Sequence, residues 1–136
     1  MAKSAKQQLH TNKKTKQVVL DKDFAGVKKG QKLFVATPQL VNHYIKQIPY
    51  GESTTIVELR NKMAADHLCD ASCPVSTAIF IRIAAQAAID ELEQGEQSVS
   101  EITPFWRLLT STDKITQKLT IDSNWLDNQR QLEQGY

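Results

Sequence analysis

The chain has 136 residues, of which 40% are apolar and 24% charged, with a formal net charge of +2. That length suits one domain with a real core and is short for two. No apolar run approaches the ~18 residues of a membrane span, the lysine-rich start has no apolar core for a secretory signal, and the cytoplasm is the expected compartment.

The small net charge hides an asymmetry. Residues 1–36 carry nine Lys and two Asp, whereas residues 37–136 carry eight basic and thirteen acidic side chains. A basic arm on an acidic body points to an arm that meets nucleic acid, or to a solubilising tail. Residues 1–17 are poor in bulky apolar side chains and are expected to be disordered. Around Gly26 and Gly30, VVL and KLFVA are expected as short extended segments, and Phe24, Val27, Leu33, Phe34 and Val35 mark the last third of the arm for docking on the body.

The first clear helix begins at Thr37, a capping residue followed by Pro38 at the first helical position. Leu40, Val41, Tyr44, Ile45 and Ile48 form its apolar stripe, and Pro49 and Gly51 end it. Thr55, with Glu58 three residues on, starts a second helix that turns Ile56, Leu59 and Met63 inward. The third helix spans about 74–93. It is apolar nearly all round, with Arg82, Gln86, Asp90 and Glu93 as its polar strip, and so belongs at the centre of the domain. Its acidic end opposes the helix dipole, so it either frays or finds cationic partners. Residues 95–100 are expected as a loop, Phe105 to Leu109 as a strand, and LTI after it as a second extended piece. Asp122 or Ser123 caps a last helix. Three helices, a hairpin and a helix make a winged helix-turn-helix order. The expected fold is therefore mainly α, with a basic arm over 1–36 and a winged-helix domain over 37–136.

Cys69 and Cys73 lie four apart, near His67. Two Cys and one His are an incomplete zinc set. Reduced thiols in or near a core are the expected state, with no metal and no cofactor.

From Ile48 onward the chain resembles the DNA-binding and active-site domain of the methylated-DNA–protein-cysteine methyltransferases. IPYGESTT is similar to that family's P-x-G segment ahead of the helix-turn-helix. ITPFWRLLTSTDKI is similar to its active-site segment, P-C-H-R-V followed by a turn and a wing. LEQG is similar to its closing helix. The whole chain resembles a shorter methyltransferase-like subgroup, on Cys73-Pro74-Val75-Ser76-Thr77 and Thr103-Pro104-Phe105-Trp106-Arg107. The departures are specific. Phe105 stands at the alkyl-accepting cysteine and Trp106 at the histidine that helps deprotonate it. Without a thiol and an adjacent base there is no thiolate to accept an alkyl group. Ser76 and Thr77 lie near the place of the arginine that fills the flipped-base space, and Ile56 at that of a phosphate-rotating tyrosine. Alkyltransferase-like proteins also lack the cysteine, yet they bind alkylguanine and recruit repair factors.

The resemblance thus implies a non-enzymatic DNA-binding protein of DNA repair, with double-stranded DNA as partner, an alkylated base as a candidate target and a repair protein as a candidate second partner. Pro104, Phe105, Trp106 and Arg107 are the base-pocket candidates. For Phe105 and Trp106 the choice is between an aromatic wall for an extruded base and core filling. Arg107 either contacts phosphate or braces backbone carbonyls or Asp122. DNA-contact candidates are Thr55, Arg60, Lys62, Ser76, Thr77, Arg82, Lys13, Lys14 and Lys16. Ser76 and Thr77 open the third helix, where hydroxyls and free N–H groups hold phosphate or are merely first-turn residues. Residues 37–82 hold four basic and four acidic side chains, little positive charge for a DNA reader. A protein-interaction module that kept the scaffold and lost DNA binding is the alternative.

Overall fold

The computed structural model describes residues 4–11 and 13–135. Lys3, part of the basic start, lies outside them. The chain is mainly helical, with one three-stranded sheet.

The start of the chain corrects the expectation of disorder. Helix α1 (Ala5–Leu9) is closed by a capping box: Ser4 Oγ accepts from the Gln7 N–H, and the Gln7 side chain accepts from the Ser4 N–H. Leu9 is buried in the main core. Five residues are too few to be stable alone, so packing against the long helix α4 (Pro74–Glu93) holds α1 in place. Lys6 also donates to Glu96, just past the end of α4, at 2.8 Å.

Strands β1 (Lys16–Val19) and β2 (Lys32–Val35) pair antiparallel, with Lys16 opposite Val35 and Val19 opposite Lys32. An inner bridge joins Phe24 and Val27 around Ala25 and Gly26, at φ of 49° and 86°. Two consecutive positive φ values suit the right-handed twist of a two-residue hairpin turn. All of β1 is exposed, whereas β2 buries Leu33 and Phe34. β2 also runs parallel to β3 (Ala71–Ser72). Val27, Leu33 and Cys73 form a small second core beneath this hairpin. The described part of 1–36 is therefore no free arm, because Leu9, Leu33 and Phe34 anchor it to the body.

Helix α2 (Pro38–Lys46) is capped by Thr37, and α3 (Ile56–Asp66) by Thr55. Val41, Tyr44 and Ile45 of α2 pack on α4, whose Ile81, Ala85 and Ile89 lie at the centre of the core, and Leu59 and Met63 of α3 join the same core. Helix α5 (Ser123–Glu133) is capped by Asp122 and buries Leu126.

The segment between α4 and α5 departs from expectation. Phe105–Arg107 is a 3-10 turn, a second such turn covers Thr116–Lys118, and among the described residues no strand follows β3. The expected wing hairpin is absent there. Phe105, Trp106, Leu108 and Leu109 are all buried. A half-exposed strand would send alternate side chains to solvent; a tight turn, with the Leu108 N–H donating to the Phe105 carbonyl at 3.1 Å, turns them all inward.

Candidate nucleic-acid interface

The three motifs behind the family resemblance converge on one charged side chain. Arg107 Nε donates to Glu133 Oε1 at 2.8 Å and Nη2 to Glu133 Oε2 at 2.9 Å, a bidentate pair. Its Nη1 donates to the Ile48 carbonyl at 2.7 Å. Trp106 Nε1 donates to Glu133 Oε2 at 2.7 Å, and the Gly51 N–H to Glu133 Oε1 at 3.2 Å. The Arg107 carbonyl accepts from the Thr54 N–H at 2.9 Å. IPYGEST, PFWR and LEQG are thus clamped together. Arg107 is a brace, and its carboxylate partner is Glu133, not Asp122.

The side chains of Arg107 and Glu133 are only 14% and 4% exposed. Burial alone would raise the Glu133 pKa, but hydrogen bonds from Arg107, Trp106 and Gly51 outweigh it and hold the carboxyl below the usual range. Inside a protein such a network is strong when complete and costly when one member is lost.

The base-pocket candidates lie in the core. Phe105 is 0% exposed and Trp106 1%. Trp125 stacks on Phe105, with ring centroids 5.7 Å apart, and Trp106 meets both rings edge-on. The Phe105 face that would receive a base is covered by the chain's own Trp125. Pro104 is buried too, and with Trp106 and Arg107 it borders a shallow polar cavity of about 240 Å³ shared with Glu101. Large rings with this much contact area serve as core. Trp125 was not foreseen as their neighbour.

The DNA-contact candidates scatter. Thr55 is exposed, but its hydroxyl accepts from the Glu58 N–H and donates to the Glu58 carboxylate. Lys62 pairs with Asp66 at 3.8 Å and borders a 420 Å³ cleft that also holds Glu52 and Glu58. Across that cleft Tyr44 donates to Asp66 at 2.6 Å; its burial and that bond push the phenol pKa up to about 12. Arg60 is half-buried, and its carbonyl accepts from Ser72. Arg82 is half-buried on α4. The hydroxyl oxygens of Ser76 and Thr77 are shielded from solvent and make no hydrogen bond among the described residues, so neither faces a phosphate. The exposed positions at the start of α4 are Val75 and Ile79, 52% and 45% exposed. Aliphatic groups carry none of the donors and acceptors that read base edges.

Positive charge is instead gathered on the hairpin. Lys13, Lys14, Lys16, Lys22, Lys28, Lys29 and Lys32 fall within twenty residues that hold only Asp21 and Asp23 as acids. Among the described residues, Lys28 alone of these pairs with a carboxylate, Asp23 at 3.8 Å. Lys14, Lys16, Lys22 and Lys29 are exposed. Parallel pairing to β3 sets this ribbon beside the start of α4. Lysines 22, 28, 29 and 32 were visible as arm charge, but the turn chemistry that presents them was not anticipated.

Both cysteines are free thiols, Cys73 buried and Cys69 partly so, and no metal-binding cluster occurs among the described residues. No helix of the described residues is long and apolar enough to cross a membrane. Compared with known protein families, curated proteins and solved structures, the chain matches none.

Proposed function

We propose that this chain is a non-enzymatic protein that binds double-stranded nucleic acid through phosphate contacts from the β1–β2 hairpin. The observation that carries this is the set of seven lysines over residues 13–32, five of them on a ribbon locked to the body by Phe34, Leu33 and the β2–β3 pairing and two just ahead of it. Ammonium groups fixed on a rigid element neutralise phosphates without the ordering cost of a free tail. The meeting of the three motifs at Arg107 and Glu133 supports kinship with alkyltransferase-like proteins on a winged-helix-derived scaffold. The cytoplasm, among the DNA-containing compartments, is the place such a protein would work.

Phe105 at the acceptor position offers no nucleophile, so no alkyl transfer is expected. Its burial under Trp125 favours backbone binding over extrusion of an alkylated base. The test is a salt series on a short duplex, with and without an alkylguanine, for the native chain and for a variant with Lys14, Lys16, Lys22 and Lys29 changed to Gln. Each lost phosphate contact flattens the slope of log affinity against log salt by roughly 0.9. The variant is expected to lose roughly 3 to 4 from that slope, and the two duplexes to bind alike. An unchanged slope in the variant defeats the hairpin assignment; a strong preference for the lesion restores a base pocket. Intact-mass measurement after incubation with the alkylated duplex is expected to show no added alkyl group.

A further inference from the structure

We propose that the groove between α1 and the first half of α4 docks an acidic, amphipathic segment of another protein. This surface adjoins the hairpin and shares Lys13, Lys14 and Lys16 with the phosphate-binding set, but its apolar floor is its own. Val75 and Ile79 lie four apart and therefore on one face of α4, and both are about half exposed. Beside Ile79 opens a cavity of about 240 Å³, walled by Pro38, Phe80, Ile83, Thr11 and Lys13, with no acidic side chain in its lining. Small-molecule sites run from about 300 Å³ upward, so this volume fits one or two anchoring side chains of a partner rather than a cofactor.

The charge around the groove specifies the partner's sign. The Lys13 ammonium sits 5.8 Å from the centre of the Phe80 ring, at the mouth of the cavity. Lys14 and Lys16 follow it and are exposed. The N-terminal end of α4 adds the positive end of a helix dipole. The acidic residues of α4 begin at Asp90, about 22 Å along the helix from Val75. A partner with Leu-type residues at i, i+3 and i+4, flanked by carboxylates, matches both the apolar floor and the cationic rim. Duplex phosphates gain nothing from Val75 or Ile79, which is why a protein is favoured here over nucleic acid.

The experiment uses the full chain with methyl-labelled Val and Ile and three fluorescein-tagged twelve-residue peptides. One carries Leu at helical spacing among Glu, one has its Leu replaced by Ser, and one has its Glu replaced by Lys. The Glu–Leu peptide is expected to bind and to shift the Val75, Ile79 and Ile83 methyl signals, while the other two leave them in place. Ile79→Ser and, as a second variant, Val75→Ser are expected to weaken the peptide by about tenfold, the effect of removing an interface anchor. Lys13→Glu should weaken it as well. Ile79→Ser should leave the duplex salt slope unchanged, so failure here and failure of the hairpin assignment are separable. The proposal is overturned if the Glu–Leu peptide moves none of these methyls, if either control peptide binds as well, if both variants bind normally, or if duplex DNA shifts the same methyls.

Discussion

The Arg107–Glu133 clamp and the lysine hairpin carry charge in opposite ways. In the clamp, one cation, 14% exposed, meets one carboxylate, 4% exposed, and the Nε, Nη1 and Nη2 of Arg107 each donate to a group within the fold. On the hairpin, a run of ammonium groups stands in water with a single exposed carboxylate partner. The clamp bears the motif residues that invite a functional assignment, yet its charges are largely buried and paired with each other. The hairpin has no motif and holds the free charge. A motif locates where a fold is fastened as readily as where it acts, and burial decides which.

The largest effects are expected in the clamp. Glu133→Ala leaves Arg107 buried and unpaired, which should cost about 3–5 kcal/mol of stability. Trp106→Ala and Phe105→Ala should each cost a similar amount, about 3–5 kcal/mol, through lost burial and the cavity left behind. Chemical denaturation of the three variants checks this. If Phe105→Ala melts normally, the ring is not core and the contrast with the hairpin collapses.

A pH series sharpens the same comparison. The folded Glu133 pKa lies below its ordinary value of 4.5. Its contribution is therefore complete above pH 4.5 and is lost as pH falls through the depressed folded value. Stability of the native chain should drop on acidification below pH 4.5, and Glu133→Gln should show a shallower acid limb. Equal acid limbs would remove the ionised carboxylate from the clamp.

The hairpin should respond in reverse. Replacing Lys14, Lys16, Lys22 and Lys29 by Gln should leave stability within about 0.5 kcal/mol per site, as for exposed side chains generally, while duplex affinity falls and its salt dependence weakens. A marked drop in melting temperature would mean that these lysines fasten the fold as well. The smallest effect is expected at Ala25, whose φ of 49° is unfavourable for a side chain without a local hydrogen bond. Ala25→Asn should stabilise the hairpin by roughly 0.5 kcal/mol, read as a small upward shift in melting temperature.

Four helices were legible in the sequence because their ends are chemically marked. Thr37 with Pro38, Thr55 with Glu58, Pro74, and Asp122 stand where the structure starts α2, α3, α4 and α5. Helix α1 escaped notice because one buried leucine does not make a periodic pattern. The 3-10 turn at Phe105 reads as a strand in the sequence because continuous burial of a short apolar run has no period to distinguish the two. The brace role of Arg107 followed from its apolar flanks, but Glu133 lies 26 residues away, and nothing in linear spacing selects it over Asp122. The charge excess of 1–36 is plain, and so is the docking of its last third, marked by Val27, Leu33 and Phe34; that the docking runs through β3 is a tertiary fact.

The pairing of α1 with α4 has a consequence for how the chain is made. Roughly 70 residues of synthesis separate them, about 4–14 seconds at ordinary ribosomal rates. During that time Leu9 has no core to enter, and five residues cannot hold a helix unaided. Helix α1 therefore waits for α4 before it can lock. It should also be among the first elements to exchange its amide hydrogens in the finished protein, detaching while the helices around Ile81 and Ile89 stay closed.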